Sequence, residues 1–503
     1  MLARKTVFVV MGLYLLGLVC LGESVIVIPV DDWETLDPAY LTLQRESAIA
    51  KYIYNGLVGW EYGSTEIVPD LAESWEVSED GLEYTFYLRQ GVQWHKGYGE
   101  LTAEDVKYSF DRILNPETKA SLAHAYKMID QVVVVDRYTV KIRLKHPFAP
   151  FLHRIAGYKA DFIVKKEAVE KWGEDYGLHP VGTGPFEWVS GDPRGDIVLK
   201  AFDQYFKGRP KVDKIILRHI ADPDVAVAAF DAGDLDMVQI PSPEVLERYL
   251  QDPNVEVSMT SGLNLNYIVL NNKMPPFDDI RVRRAVCHAI DKEALFATIL
   301  KGIGVDLTGP VPESANFYES DVTTYPYDPE RAKQLLAEAG YPDGFNTTLY
   351  TYVSRISVDV CVAIQDQLKK VGINVDLKVL EISAWADVVV TGTAPMVFMR
   401  ITRPPDPDEF LTPVVLSTSD PQWNFGHYSN AAVDALVEAG AREVDPEKRS
   451  QIYSWVQKIV TWDVPNVWLF SDVVATAYRP YIKGFKEDPF WNTLINEEVY
   501  IER

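Results

Sequence analysis

Pro69-Asp70-Leu71-Ala72-Glu73-Ser74-Trp75 leads through Asp80-Gly81 to Tyr84-Thr85-Phe86-Tyr87-Leu88-Arg89, and then to Leu101-Thr102-Ala103-Glu104-Asp105-Val106. The aromatic and β-branched residues of the middle segment predict a strand. Thr102, with Asp105 three residues on, predicts a helix start, because the acid can reach back to a free amide of the first turn. Gln131 to Val135 and Tyr138 to Leu144 then read as two strands around Asp136-Arg137, a hairpin. Strand and helix therefore alternate within one short stretch.

The alternation continues outward. Ile215 to His219 and Asn374 to Val379 read as further strands. From Asp279 to Leu300, Val282, Val286, Ala289, Ile290, Leu295 and Ile299 recur at helical spacing, which predicts one helix with a core-facing stripe. Val360, Ile364, Leu368 and Val371 predict another. Asp328-Pro329 and Asp445-Pro446 mark helix starts, where Asp caps free amides and Pro takes a first-turn position that needs no donor. A chain of 503 residues exceeds the roughly 250–300 at which single cores stop growing, so more than one domain is expected. No repeat or low-complexity linker separates them, which predicts an α/β protein with interwoven domains.

At the N-terminus, Arg4 and Lys5 precede an apolar run from Thr6 to Leu21 that ends at Gly22, the layout of a secretory signal over residues 1–22. Leu18-Val19-Cys20 is like the end of a lipoprotein signal, but Val19 is bulky where that signal takes a small residue. Cleavage after Gly22 is favoured over a lipid anchor at Cys20, and a periplasmic or extracellular protein is expected. Loss of Arg4 and Lys5 takes the formal charge from −24 to −26. That charge disfavours nucleic acid and anionic membrane surfaces as partners. Cys287 and Cys361, the two remaining cysteines, fall inside helical patterns and read as small buried hydrophobes.

Motifs for covalent chemistry are missing: there is no G-x-S-x-G, H-E-x-x-H, C-x-x-C or phosphate-cradling loop. The eight histidines include no i, i+4 pair that would place two imidazoles on one helical face. His95 reads as a satisfied or surface histidine. Neither catalysis, a cofactor nor a bare metal is expected, although 73 acidic residues leave a chance carboxylate pair open.

In order along the chain stand Thr35-Leu36-Asp37-Pro38-Ala39, Ile53-Tyr54-Asn55-Gly56-Leu57-Val58, the opening stretch from Pro69 to Val106, and Gly182-Thr183-Gly184-Pro185-Phe186. Asp279-Ile280-Arg281-Val282-Arg283-Arg284-Ala285 and Ala332-Lys333-Gln334-Leu335-Leu336-Ala337-Glu338-Ala339-Gly340-Tyr341 follow. Together they resemble extracellular solute-binding family 5, the receptors of ABC importers for peptides, nickel chelates and some oligosaccharides. The resemblance implies a two-lobed periplasmic-binding-protein fold of the class C type, with an extra inserted domain. Domain I would comprise residues 23–54, 178–264 and 472–503, domain II residues 55–177, and domain III residues 265–471. The expected partners are a small-molecule ligand, membrane permease subunits and cytoplasmic ATPases; the receptor itself is expected to be a monomer.

Most of the 27 Tyr and 12 Trp are expected in the core. By similarity to the family's ligand-lining segments, Trp33, Asn266, Tyr267, Trp385, Trp423 and Tyr428 are candidates for the cleft. The segment from Met396 to Phe410 adds Arg400, Arg403 and Asp406. Peptide receptors of the family carry an aspartate for the ligand's ammonium at the position that is Arg403 here, and an arginine suits a carboxylate instead. In an extended strand Arg400 and Arg403 point to opposite faces. Arg403 could alternatively pair with Asp406 or Asp408 at the surface. The ligand classes this leaves open are a peptide, taken first, an oligosaccharide, and a chelated metal or other anion; a hydrolase or a holdase comes behind them.

Overall fold

The computed structural model describes residues 22–157, 159–420, 423–490 and 494–502. The secretory signal and Cys20 lie outside the described residues apart from Gly22. In the first lobe, a four-stranded sheet has the order Val25–Val30, Lys214–His219, Ile197–Ala201, Phe186–Ser190; its first pair is parallel and the others antiparallel. Beside it, Val473–Tyr478 lies between Met237–Gln239 and Glu256–Ser261 in a three-stranded antiparallel sheet.

The second lobe is built on six strands, in the order Val305–Asp306, Asn466–Ser471, Asn264–Leu270, Met396–Thr402, Phe345–Tyr352, Ile373–Leu380. Its central strand Asn264–Leu270 is buried at every position. Ile268 and Leu270 face one core with the helices Ile280–Ala289 and Arg355–Lys369, while Leu265, Tyr267 and Val269 face a second with Pro407–Val415 and Pro446–Asp463. From Tyr267 to Leu270, where helices cover both faces, the strand is apolar at every position, while Asn264 and Asn266 at its start are buried through side-chain hydrogen bonds.

The expected hairpin forms as Ile129–Asp136 and Thr139–Leu144, within a second four-stranded sheet that also holds Ala72–Val77 and Glu83–Leu88. This sheet shares one continuous core with the first lobe: Phe86 and Val140 belong to the same buried cluster as Ile26 and Ile215. Asp105 accepts a hydrogen bond from the Thr102 N–H at 2.9 Å, closing the helix Ala103–Leu114. Asp328 and Asp445 cap their helices through their side chains.

One expectation is corrected. The single helix foreseen from Asp279 to Leu300 is two, Ile280–Ala289 and Lys292–Thr298. Ile290 is extended, and the Asp291 side chain accepts from the Ala294 N–H at 2.9 Å, so a capping residue inside the apolar stripe restarts the helix. The stripe itself survives the break, because Ile290 and Leu295 both remain buried. Cys361 is buried and Cys287 half-buried, and burial pushes both thiols up to about 12, consistent with unreactive packing.

Candidate functional site: a cleft built on two crossing strands

Two strands pass from one lobe to the other side by side. Glu256–Ser261 continues as Asn264–Leu270, and Asn466–Ser471 continues as Val473–Tyr478. They pair antiparallel on both sides of the joint, with Ser258 opposite Thr476 and Asn266 opposite Phe470. Between them the Gly262 N–H donates to the Asp472 carbonyl at 2.9 Å. A two-stranded ribbon with such a short joint can bend while each sheet stays intact, which is a hinge.

Asp472 is the polar centre of the joint. Its N–H donates to Asn264 Oδ1 at 2.9 Å, its Oδ1 accepts from Asn266 Nδ2 at 2.9 Å, and its Oδ2 accepts from Arg400 Nε at 2.8 Å. Over this network lies a cavity of about 400 Å³. Its walls come from both lobes: Ile240 and Leu246 on one side, Tyr352, Ile356 and Phe398 on the other, with Arg400 and Asp472 at the floor. Apolar walls with a few convergent polar groups suit a small organic solute, and the volume is in the range of such sites.

The structure distributes the sequence-predicted residues unevenly. Asn266 and Arg400 line the cavity. Trp385 stands behind its wall, its ring edge-on to Tyr352 at 5.1 Å. Arg403 lies beyond the end of Met396–Thr402, half-buried, with its guanidinium 5.2 Å from the ring of the exposed Trp423. Arg400 and Arg403 thus turn to different surroundings.

The others are held in packing. Trp33 is buried in the first-lobe core, edge-on to Trp188 at 5.9 Å. Tyr267 is buried against Trp468 at 5.2 Å, and burial raises its pKa. Tyr428 donates to Asp463 at 2.6 Å from a buried position. Asp406 caps Pro407–Val415 through the Asp408 N–H, and it accepts both Nη groups of buried Arg449 at 2.6 and 2.7 Å. The surface pair of Arg403 with Asp406 or Asp408 therefore does not form; Asp408 is buried and accepts from the Thr412 hydroxyl at 2.9 Å. Tyr352 and Asp472 went unrecognised in sequence. Tyr352 is the last residue of its strand, but nothing in sequence marks Asp472.

The lobes also meet away from the cavity. Arg154, in the helix Phe151–Arg154, pairs with Glu409, and the Ala149 N–H donates to the Ala441 carbonyl at 2.7 Å. His153 lies between them, with Nδ1 3.6 Å from Asp406, and burial lowers its pKa. A smaller cavity of about 260 Å³ carries two ion pairs, Lys207 with Asp70 at 2.7 Å and Lys51 with Asp488 at 3.2 Å, beside Glu61 and Glu497, and burial raises the pKa of Glu497. Among the described residues, no three His, Cys, Asp or Glu side chains group as a metal site, and no helix is long and apolar enough to cross a membrane. The arrangement can enclose a solute noncovalently.

Comparison with known proteins agrees with this geometry. Residues 66–422 match the model described as bacterial extracellular solute-binding proteins, family 5 Middle. Heme-binding protein A of Haemophilus influenzae is 33% identical over 480 residues, covering 88% of this chain and 86% of that protein. The glutathione-binding protein GsiB of Salmonella paratyphi A is 32% identical over 475 residues, covering 92% of each. Among solved structures, the periplasmic binding protein DppA of Helicobacter pylori in complex with the peptide STSA superposes with a TM-score of 0.81 at 29% identity, over 96% of this chain and 98% of that one. With two lobes joined by crossing strands and this extent of similarity, the chain belongs to family 5 of the bacterial extracellular solute-binding proteins.

Proposed function

We propose that the protein is the exported receptor of an ABC importer, capturing a small peptide-like solute between its lobes and presenting it to membrane permease subunits driven by cytoplasmic ATPases. The observation that carries this reading is the cavity at the hinge, whose walls belong to different lobes, so that bending the joint opens or encloses it. Relatives named for glutathione binding and a neighbour holding the peptide STSA support a short peptide-like cargo. In this reading the hinged lobes are residues 23–54, 178–264 and 472–503 on one side and 265–471 on the other, with 55–177 inserted in the first.

Capture should compact the molecule. Mass spectrometry of solute released on denaturing the natively purified protein identifies the cargo, and small-angle scattering with and without it follows closure. A smaller radius of gyration and a higher melting temperature at saturation are expected. An unchanged radius, or turnover of the solute to a product, would sink the receptor reading.

A further inference from the structure

The floor of the hinge cavity holds one cation and one anion, and they face each other. Among the described residues that line it, Arg400 and Asp472 are the only charged side chains. Arg400 Nε and Nη2 both lie 2.8 Å from Asp472 Oδ2, so the carboxylate occupies the edge of the guanidinium that would otherwise grip an anion side-on. The second oxygen, Oδ1, accepts from Asn266 Nδ2 at 2.9 Å, and the Asp472 N–H donates to Asn264 Oδ1 at 2.9 Å. Asp472 is thereby fixed at the joint with both oxygens engaged.

Other polar groups of the lining turn to the protein as well. The Ser357 hydroxyl donates to the Tyr352 carbonyl at 2.9 Å, and the Ser242 hydroxyl accepts the Val245 N–H at 3.4 Å as a helix cap. Next in sequence to lining residues, Glu244 and Glu247 of the first lobe meet Lys301 and Arg355 of the second at 3.3 to 3.8 Å, so these charges balance too. Most of the wall is aliphatic or aromatic, with Ile240 and Leu246 from the first lobe and Leu300, Ile303, Ile356 and Phe398 from the second. A charged group entering such a site sheds its water and finds both charges of the floor already engaged, which is costly.

We infer that Asp472 masks Arg400, and that this pair is the specificity determinant restricting the cavity to an uncharged, apolar part of the solute. Losing Asp472 would open the site to anions, and losing Arg400 would open it to cations. This rests on the cavity being the solute site proposed above, and it names what that site accepts: an aliphatic group without charge, such as a leucine side chain, rather than either terminus of a peptide.

The test uses the full mature chain, freed of retained solute by dialysis, and three probes that share one side chain: uncharged N-acetyl-leucinamide, anionic N-acetyl-leucine and cationic leucinamide. Leu-Leu is a fourth probe, for the peptide cargo. Titration calorimetry and melting curves report binding at about pH 6.5, where the amine is protonated and the carboxyl ionised. Wild type should bind the uncharged probe about tenfold or more tightly than either ion. Asp472→Asn should raise the anion-to-neutral affinity ratio by about tenfold or more and leave the cation behind, and Arg400→Met should do the reverse. The double variant Arg400→Met/Asp472→Asn should favour neither ion. Each ratio is taken within one variant, so a loss of affinity common to all probes does not enter it, and melting of the unliganded variants controls for folding. The masking is overturned if wild type binds either ion within about threefold of the neutral probe, if Asp472→Asn leaves the anion ratio within about threefold, or if either single variant raises both ratios together. Binding of Leu-Leu without a neutral preference among the three would refute the masking and uphold the peptide cargo. A neutral preference with no binding of Leu-Leu would uphold the masking and refute the peptide cargo, and binding of none of the four would refute both.

Discussion

Arg449→Ala should destabilise the protein by about 3–5 kcal/mol, the cost of leaving one buried charge without its partner. Arg449 and Asp406 are both buried, and the fork closes on the carboxylate at 2.6 and 2.7 Å while Nε donates to the Gly440 carbonyl at 2.9 Å. Burial would raise the pKa of Asp406, but Arg449 outweighs it and holds the acid below its ordinary range. A lowered folded-state pKa gives stability that is present above the ordinary carboxylate value and lost as pH falls. Without Arg449 the sign reverses: the buried acid prefers its proton, so the deficit of the variant should shrink on acidification. Urea titrations of wild type, Arg449→Ala and the double variant Asp406→Asn/Arg449→Met at pH 7 and 5 check this. The double variant should regain most of the loss, since neither charge remains buried alone. A single-variant deficit under about 1 kcal/mol would show that the pair is not what holds the second core around Pro407–Val415.

Gly182→Ala should be comparably severe, at or above the upper end of the roughly 1–3 kcal/mol typical of overpacking. The Gly184 N–H donates to the Ile53 carbonyl at 2.8 Å, and the His95 N–H donates to the Gly182 carbonyl at 2.9 Å. This draws the turn so close that a Cβ on Gly182 would fall on the Ile53 carbonyl oxygen, and one on Gly184 would stand 2.6 Å from its carbon. Both neighbours are backbone, so neither can swing aside. His95 seals the contact from beneath, fully buried with Nε2 2.9 Å from the Gly184 carbonyl oxygen, and burial lowers its pKa from 6.5 to about 4. A depressed folded-state pKa means that its stabilising share is present above about 6.5 and drains away as pH falls toward 4. Wild type should therefore lose stability over that window, and His95→Gln should flatten the loss. Melting curves from pH 8 to 4 decide both; a Gly182→Ala protein that melts with wild type would mean that the turn can move away from Ile53.

What the sequence determined by itself is local. The hairpin around Asp136-Arg137, the capping of Ala103–Leu114 by Asp105 and the Asp-Pro starts at Asp328 and Asp445 depend on hydrogen bonds within a few residues, so their pattern is written in the chain. Even there the helix break at Ile290 escaped, since an apolar stripe runs through it unchanged and only the Asp291 cap betrays it. The fold class was legible from ordered segments that pack on one another, as Gly182–Gly184 does on Ile53 and His95. Tertiary structure alone decided which residues meet at the site. Asp472 reaches Arg400 across 72 positions of chain. It also withdrew Trp33, Tyr267, Asp406 and Tyr428 into packing, because burial of an aromatic ring or a paired charge depends on what the rest of the chain lays over it.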